Sequence, residues 1–308
     1  MYLSYLLAVV AATVNATSNV LQRKADREEP PHLAMSFRLV LDLVHRPVWL
    51  AGFGAVILSF VITAAALDHG ALAVVQPILV LELPLTLLLA TRTLGARLGR
   101  REWGASLAMV AGLGGMLAAL APGSGHTNRV DGLEWGLAAG ATAAAAVAAV
   151  AFSRTGSRTR RAALLGVGSG ILFGLTAAFM KGMTGALVHG FGHIFVVWQT
   201  YAMAACGAAA LFLAQNALQA GRLLVAQPGI TLCDPAVGML WGIIVFDEAP
   251  RGGLAVVAAV ACGLVLVGGV FVLMHSPQLA DALTSGEHPA QPGAHRPDAA
   301  GAAATLRP

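Results

Sequence analysis

The sequence predicts an all-α, polytopic membrane protein: a helical bundle of nine spans and one short amphipathic helix, ten helices in total, built on an inverted-topology repeat. Three observations support this. Of the 308 residues, 57% are hydrophobic and only 11% are charged, whereas soluble domains carry about 25% charged residues. Apolar runs of roughly 20 residues, long enough to cross a bilayer as helices, recur along the chain. A proline-containing motif also occurs twice, 151 residues apart.

Charged residues, prolines or glycines bound each apolar run. The nine predicted spans cover residues 2–22, 48–68, 70–92, 102–121, 132–153, 162–182, 193–216, 222–246 and 252–274. The segment 32–45 is shorter, and its Arg38, Asp42 and His45 follow helical spacing on one side. It would extend about 21 Å as a helix, less than the ~30 Å hydrocarbon core. We expect it to lie at the interface; a short tenth span is the alternative.

Loop arginines and lysines predict the orientation, because such residues concentrate on the cytoplasmic side. The 23–46 segment carries five, and the 92–101 and 154–161 loops carry four each. The intervening loops carry at most one, so the N-terminus is predicted outside and the C-terminus inside. Residues 276–308 are rich in Pro, Ala and Gly without apolar periodicity, which predicts a disordered cytoplasmic tail. The expected location is the plasma membrane.

The repeated motif is Val-x-Gln-Pro-x6-Pro. Its two copies match in three pairs: Gln76 with Gln227, Pro77 with Pro228, and Pro84 with Pro235. The copies lie in the third and eighth predicted spans, an odd number apart, so they cross the membrane in opposite directions. Such inverted repeats are typical of secondary transporters, whose binding site lies near the midplane between the halves. The predicted halves are residues 1–121 and 154–275, joined by a connecting span at 122–153.

Each copy also carries one carboxylate, Glu82 or Asp234, about halfway through its span. An ionisable group there costs about 2.5–3.5 kcal/mol, which predicts a bound cation, proton or substrate, and both residues are candidate metal ligands. The alternative is a neutral carboxyl in one interhelical hydrogen bond. Glu82 precedes its proline by two residues and Asp234 by one. On a regular helix this is a rotation of about 100°, so the two carboxylates need not face each other.

Further polar residues are predicted to line the site: Gln76, Gln227, Asn19 and Thr231. Asn15, Asn19 and Gln22 form an amide stripe on the first span, facing either a cavity or another helix.

The four prolines cannot donate to the preceding turn. The backbone carbonyls left without a donor by these prolines lie near the carboxylates, and such oxygens would suit a hard cation. The alternative is a helix kink that binds no ligand. Lys181, at the outer end of the sixth span, is predicted to extend its ammonium group to the interface.

No enzyme motif is present: the chain has no HExxH, GxSxG, CxxC or nucleotide-binding loop. We therefore predict a protein that is not an enzyme, needs no cofactor and is driven by a gradient. The expected partners are the lipid bilayer and a small-molecule or cation substrate, with a homodimer left open. Nucleic acid is not expected, because no basic helix with interleaved aromatic residues appears. The alternatives are a proton-exchanging exporter of metabolites or drugs and a non-transporting membrane scaffold.

Several stretches carry a family resemblance. They are Gln22-Arg23-Lys24, Arg46-Pro47-x-Trp49-x-x-Gly52, Ala65-Ala66-Leu67, Ala71-x-x-x-Val75-x-Pro77, Phe179-x-Lys181 and Ile243-x-x-Phe246-x-Glu248. With the inverted duplication, they resemble the drug/metabolite transporter (DMT) superfamily, and within it the branch of NIPA-type magnesium transporters. The resemblance implies nine or ten helical spans that work by alternating access, and Mg²⁺ or another small solute as substrate.

Overall fold

The computed structural model describes residues 2–27, 47–93, 99–120, 130–155, 157–220, 223–248 and 252–275. All regular secondary structure in these ranges is helical, which confirms the predicted all-α class for that part of the chain. The predicted amphipathic helix at 32–45 and the predicted tail at 276–308 lie outside the described residues.

The helices follow the predicted apolar runs closely. Their bounds are α1 (Tyr2–Arg27), α2 (Pro47–His69), α3 (Leu72–Leu79), α4 (Glu82–Thr93), α5 (Arg100–Leu120), α6 (Gly132–Ser153), α7 (Arg158–Gly185), α8 (Trp198–Ala220), α9 (Leu223–Ile244) and α10 (Leu254–Met274). Two short 3₁₀ segments, Ala186–His189 and Phe191–Phe195, connect α7 to α8. The predicted seventh span, 193–216, therefore begins and ends a few residues later than expected.

Eight apolar helical segments in the described ranges are long enough to cross a membrane, so the chain is a multi-pass membrane protein. They correspond to all the predicted spans except 222–246. In one of them, Leu72–Thr93, α3 and α4 follow one another within a single span. The remaining predicted span forms α9, a helix of 22 residues that contains Gln227, Asp234 and two prolines.

Serine hydroxyls join neighbouring helices into two antiparallel pairs. Ser18 on α1 donates to the Gly52 carbonyl on α2 at 2.8 Å, and Ser59 on α2 donates back to Ala11 at 3.0 Å. In the second pair, Ser169 on α7 donates to Ala210 on α8 at 2.8 Å. A hydroxyl that bonds the backbone of another helix contributes to association where the surrounding lipid supplies no partner.

Glycines let α9 approach α7 until the backbones touch. A Cβ atom added at Gly166, Gly170 or Gly174 would lie within 2.3 to 2.7 Å of main-chain carbonyl oxygens of α9. The contacts advance along both helices in the same direction, from Ala226 to Asp234, so α7 and α9 are parallel. The glycines that recur every four residues along α7 therefore form a packing surface.

The helices that carry the two motif copies run antiparallel where they cross. Gln76 on α3 packs on Gly238 of α9, and Ala73 packs on Gly242. Residue numbers therefore increase along one helix in the direction in which they decrease along the other. The helices that follow the two motif-bearing spans, α5 and α10, also run antiparallel: Gly112 faces Cys262 and Leu266, while Met109 faces Gly269. The two halves of the chain thus meet through both of these helix pairs.

An aromatic cluster ties α6 to the centre of the bundle. The Trp135 ring lies between 5.3 and 5.8 Å from four others, counted between ring centroids: Phe179, Trp198, Trp241 and Phe246. Trp241 also donates its indole N–H to Thr142 Oγ1 at 3.0 Å. Trp135, Phe179, Trp241 and Phe246 are buried, so this cluster belongs to the hydrophobic core and fixes the common end of α6, α7 and α9.

Candidate functional site

The first motif copy contains a break in its helix. Helix α3 ends at Leu79 and α4 begins at Glu82. Across the break, Val80 N donates to Pro77 O at 3.2 Å and Leu81 N donates to Ile78 O at 3.0 Å, the three-residue spacing of a tightened turn. The prolines were expected to kink this span. The structure places a short stretch of tightened turn, in which three-residue hydrogen bonds replace the α-helical ones, directly before the candidate carboxylate.

Both oxygens of the Glu82 carboxylate accept a hydrogen bond from α1. Asn15 Nδ2 lies 2.5 Å from Glu82 Oε2, and Asn19 Nδ2 lies 2.6 Å from Glu82 Oε1. The two amides are four residues apart, so they project from the same face of α1. The predicted amide stripe is therefore an interhelical contact that holds Glu82 in place. Gln22, the third residue of that stripe, has a side chain outside the described residues.

The carboxylate of the second copy is bonded differently. Asp234 lies inside the continuous helix α9, one residue before Pro235. Its Oδ1 atom is buried and has no hydrogen-bond partner among the described residues. The Asp234 carboxylate also interacts electrostatically with that of Glu82. The structure thus brings the two carboxylates into one region of the bundle, although their offset from the prolines gave no reason to expect it.

The remaining predicted site residues divide into two groups. Gln76 is buried at the crossing of α3 and α9, where its Cγ atom lies over Gly238. Gln227 and Thr231 are half-buried on α9 and share a face with Asp234 by their spacing of four and three residues. Within the described ranges, no hydrogen bond joins either of these two to Glu82 or Asp234.

The sequence did not single out Thr86 as a candidate. It lies one turn after Glu82 on α4, is buried, and its Oγ1 atom has no hydrogen-bond partner among the described residues. Its spacing of four residues from Glu82 is the signal that could have identified it. Two unpartnered oxygens, on Thr86 and Asp234, therefore belong to the spans that carry the two candidate carboxylates. A buried polar atom without a partner calls for an explanation, such as a ligand.

The prediction for Lys181 is wrong. Its side chain is only 8% exposed, and its Nζ atom donates to the carbonyls of Leu67 and Gly70. The ammonium group therefore points into the bundle instead of extending to the interface, since carbonyls at the end of another helix are available to it.

A metal at this site would have few protein ligands. Among the described residues, no group of three or more His, Cys, Asp and Glu side chains is placed to hold a metal ion. Glu82 and Asp234 supply two carboxylates, and both Glu82 oxygens already accept amide hydrogens. Mg²⁺ often binds through one or two carboxylates and keeps several waters. The pair fits that ion only as a hydrated or transient passenger.

A cleft lies apart from this pair, between α6 and the end of α9. Its volume is about 500 Å³, and it is lined by Val130, Glu134, Leu137, Ala138, Ile244, Val245 and Asp247. Asp247 has a backbone φ of 51°, a conformation that Asp adopts more readily than most residues. By the predicted topology this cleft opens on the outer side of the membrane.

Comparison with known proteins shows similarity to an uncharacterized protein of Corynebacterium glutamicum. The two chains are 28% identical over 249 residues, which cover 80% of this chain and 85% of the other. No family model matches the sequence, and no solved structure matches it. The similarity therefore extends over most of both chains.

Proposed function

We propose that this protein is a secondary transporter of the drug/metabolite transporter type. It would move a small solute or cation by alternating access, with Glu82 and Asp234 as the binding pair between two inverted halves. The observation that carries the proposal is the buried, unpartnered Oδ1 atom of Asp234, close enough to Glu82 for their charges to interact. A buried carboxylate oxygen that the described residues leave unpartnered inside a membrane protein favours a bound ligand.

The packing of the two motif copies supports the inverted repeat. Helices α3 and α9 carry the copies and run antiparallel at their crossing. Helices α5 and α10, which follow them in sequence, are antiparallel as well. The interruption between α3 and α4 adds a second feature typical of transporters, in which broken helices surround the binding site.

Two substrate classes fit the acidic pair. A divalent cation such as Mg²⁺ is favoured by the resemblance to NIPA-type proteins. An organic solute exchanged for a proton is favoured by the unequal bonding of the carboxylates: Glu82 is bonded on both oxygens, while Asp234 has one oxygen open. In that second case, Asp234 would take up the exchanged proton or the amine of the solute.

Uptake by the purified full-length chain in proteoliposomes tests the proposal. Mg²⁺ influx, followed by an indicator inside the vesicles, is compared with pH-gradient-driven uptake of amino acids and cationic drugs. We expect one class to move, and Asp234→Asn and Glu82→Gln each to lower its rate at least tenfold. Glu134→Gln is the matched control, because that side chain is exposed in the first turn of α6. If the parent protein moves none of these solutes, the alternative of a non-transporting membrane scaffold is favoured.

A further inference from the structure

A buried pair of opposite charges holds the corner between α2 and α3. Helix α2 ends at His69 and α3 begins at Leu72. Lys181, on α7, donates from Nζ to the carbonyls of Leu67 and Gly70. The last carbonyls of a helix have no partner within it and carry its negative dipole end, so the ammonium group satisfies both requirements of the α2 terminus.

Glu248 binds the backbone N–H groups at the start of α3, on the other side of the same corner. Its carboxylate is buried, with Oε1 2.7 Å from Leu72 N and Oε2 2.7 Å from Ala73 N. These are the first N–H groups of the helix, where the dipole favours an anion. Burial raises the pKa of Glu248, while the two backbone hydrogen bonds and the charge of Lys181 act in the opposite direction. The two side chains therefore clamp one corner from both ends.

Both members of the clamp come from the other half of the chain. Lys181 is 114 residues from Leu67, and Glu248 is 176 residues from Leu72. Close contacts seal the same corner: a Cβ atom at Gly242 would lie 2.8 Å from Ala73 N. On the opposite side, a Cβ atom at Gly70 would lie 2.3 Å from that of Ser4 on α1. Backbone contact of this kind leaves no passage between α3 and α9 at this end.

The repeat does not reproduce this acid in the other half. The position 151 residues before Glu248 is Arg97, a side chain with no acceptor for backbone N–H groups. By sequence, the first half therefore has no carboxylate at the position that matches Glu248.

We propose that Lys181 and Glu248 form the outer lock of this protein: a clamp that keeps the α2–α3 corner against α7 and α9 and that must release for the outward-open state. The inference rests on the proposed function, since it assigns the closed side of an alternating-access cycle. By the predicted topology this corner is extracellular, so the described structure is the outwardly closed state.

Cysteine accessibility tests the lock without any substrate or gradient. Cys206, Cys233 and Cys262 are replaced by Ala, and Val75→Cys, at a fully buried position on α3 below the corner, serves as the reporter. A membrane-impermeant maleimide is applied to the outside of cells or oriented vesicles. We expect Lys181→Met and Glu248→Gln each to raise the labelling rate roughly tenfold or more, because each removes hydrogen bonds made by a charged group.

Asp247→Asn is the matched control. It removes the same charge one residue from Glu248, its side chain is exposed, and Asn tolerates the positive φ of that position. It should label like the parent. If Lys181→Met or Glu248→Gln fails to fold, Lys181→Arg and Glu248→Asp keep the charge with altered reach and are read instead, with a smaller rise expected. Unchanged labelling from outside in all folded lock variants, or a rise only from the cytoplasmic side, overturns the lock.

The labelling result and the transport result are separable. Faster labelling in a protein that moves no solute would show that Lys181 and Glu248 keep this corner closed, but would remove the proposed function and, with it, the transport cycle. Transport with unchanged labelling would support the proposed function and overturn the lock.

Discussion

The two copies of the Gln-Pro motif share their sequence pattern but differ in how the structure holds their carboxylates. In the first, the helix is interrupted at Val80 and Leu81, and Glu82 starts the next segment, bonded by two amides of α1. In the second, α9 continues through Pro228 and Pro235, and Asp234 keeps one buried oxygen without a partner. The comparison indicates a division of labour: Glu82 is fixed by the chain, whereas Asp234 is open to a ligand.

The strongest test of this difference compares the free energies of unfolding. The double variant Asn15→Ala, Asn19→Ala should lower the free energy of unfolding by about 3 kcal/mol, because it removes two hydrogen bonds and leaves a buried carboxylate unpaired. Asp234→Val should raise it by about 1 kcal/mol, because it removes a buried polar group that has no partner. Unfolding by SDS, followed by circular dichroism, measures both.

Asn216→Ala is the control for the amide substitutions, since Asn216 is half-buried and bonds only the Phe212 carbonyl of its own helix. Its change should stay within about 0.5 kcal/mol. If Asp234→Val destabilised the protein as strongly as the double amide variant, Asp234 would be a structural residue and the division of labour would be wrong.

A second test displaces only helix α9, which carries the second copy of the motif. A Cβ atom at Gly174 would lie 2.7 Å from the Asp234 carbonyl and 2.6 Å from Val237 Cβ. Gly174→Ala should therefore push α9 from α7 and destabilise the protein by about 2 kcal/mol. It should also lower uptake, since Asp234 moves while the bonds between α1 and Glu82 stay intact.

Gly140→Ala is the matched control, because a Cβ atom there meets nothing within 4 Å. It should be neutral, or slightly stabilising through the higher helix propensity of Ala. Equal effects of the two substitutions in thermal unfolding would show that the contact between α7 and α9 yields easily and does not position Asp234.

The positions of the helices could be predicted from the sequence, because the thickness of the bilayer sets the length and apolarity of each span. Two carboxylates in apolar runs are conspicuous, so Glu82 and Asp234 could be proposed as site residues from the sequence alone. The relation between Glu82 and Asp234 was out of reach for a specific reason. The 100° offset was counted from Pro84 and Pro235, whereas the interruption lies between Pro77 and Glu82 and changes how Glu82 is rotated relative to α3.

Lys181 shows a different limit of sequence reasoning. A lysine at the end of a span has the same local pattern whether its ammonium group meets water or buried carbonyls. The carbonyls that bind it belong to Leu67 and Gly70, more than 100 residues away in sequence, and Glu248 acts on the same corner. Contacts between distant helices of this kind are set by packing, which residue spacing does not encode.

The smallest expected effect comes from the prolines. Pro235→Ala adds an N–H group that can bond the Thr231 carbonyl within the unbroken α9, so the free energy of unfolding should rise by about 1 kcal/mol. Pro84→Ala adds an N–H group near Val80, but the Val80 carbonyl already accepts from Leu83 N at 3.2 Å. Its change should be close to zero, and SDS unfolding measures the two side by side. A larger gain for Pro84→Ala would mean that this proline alone creates the break. The position of Glu82 would then depend on a single residue and not on the turn around it.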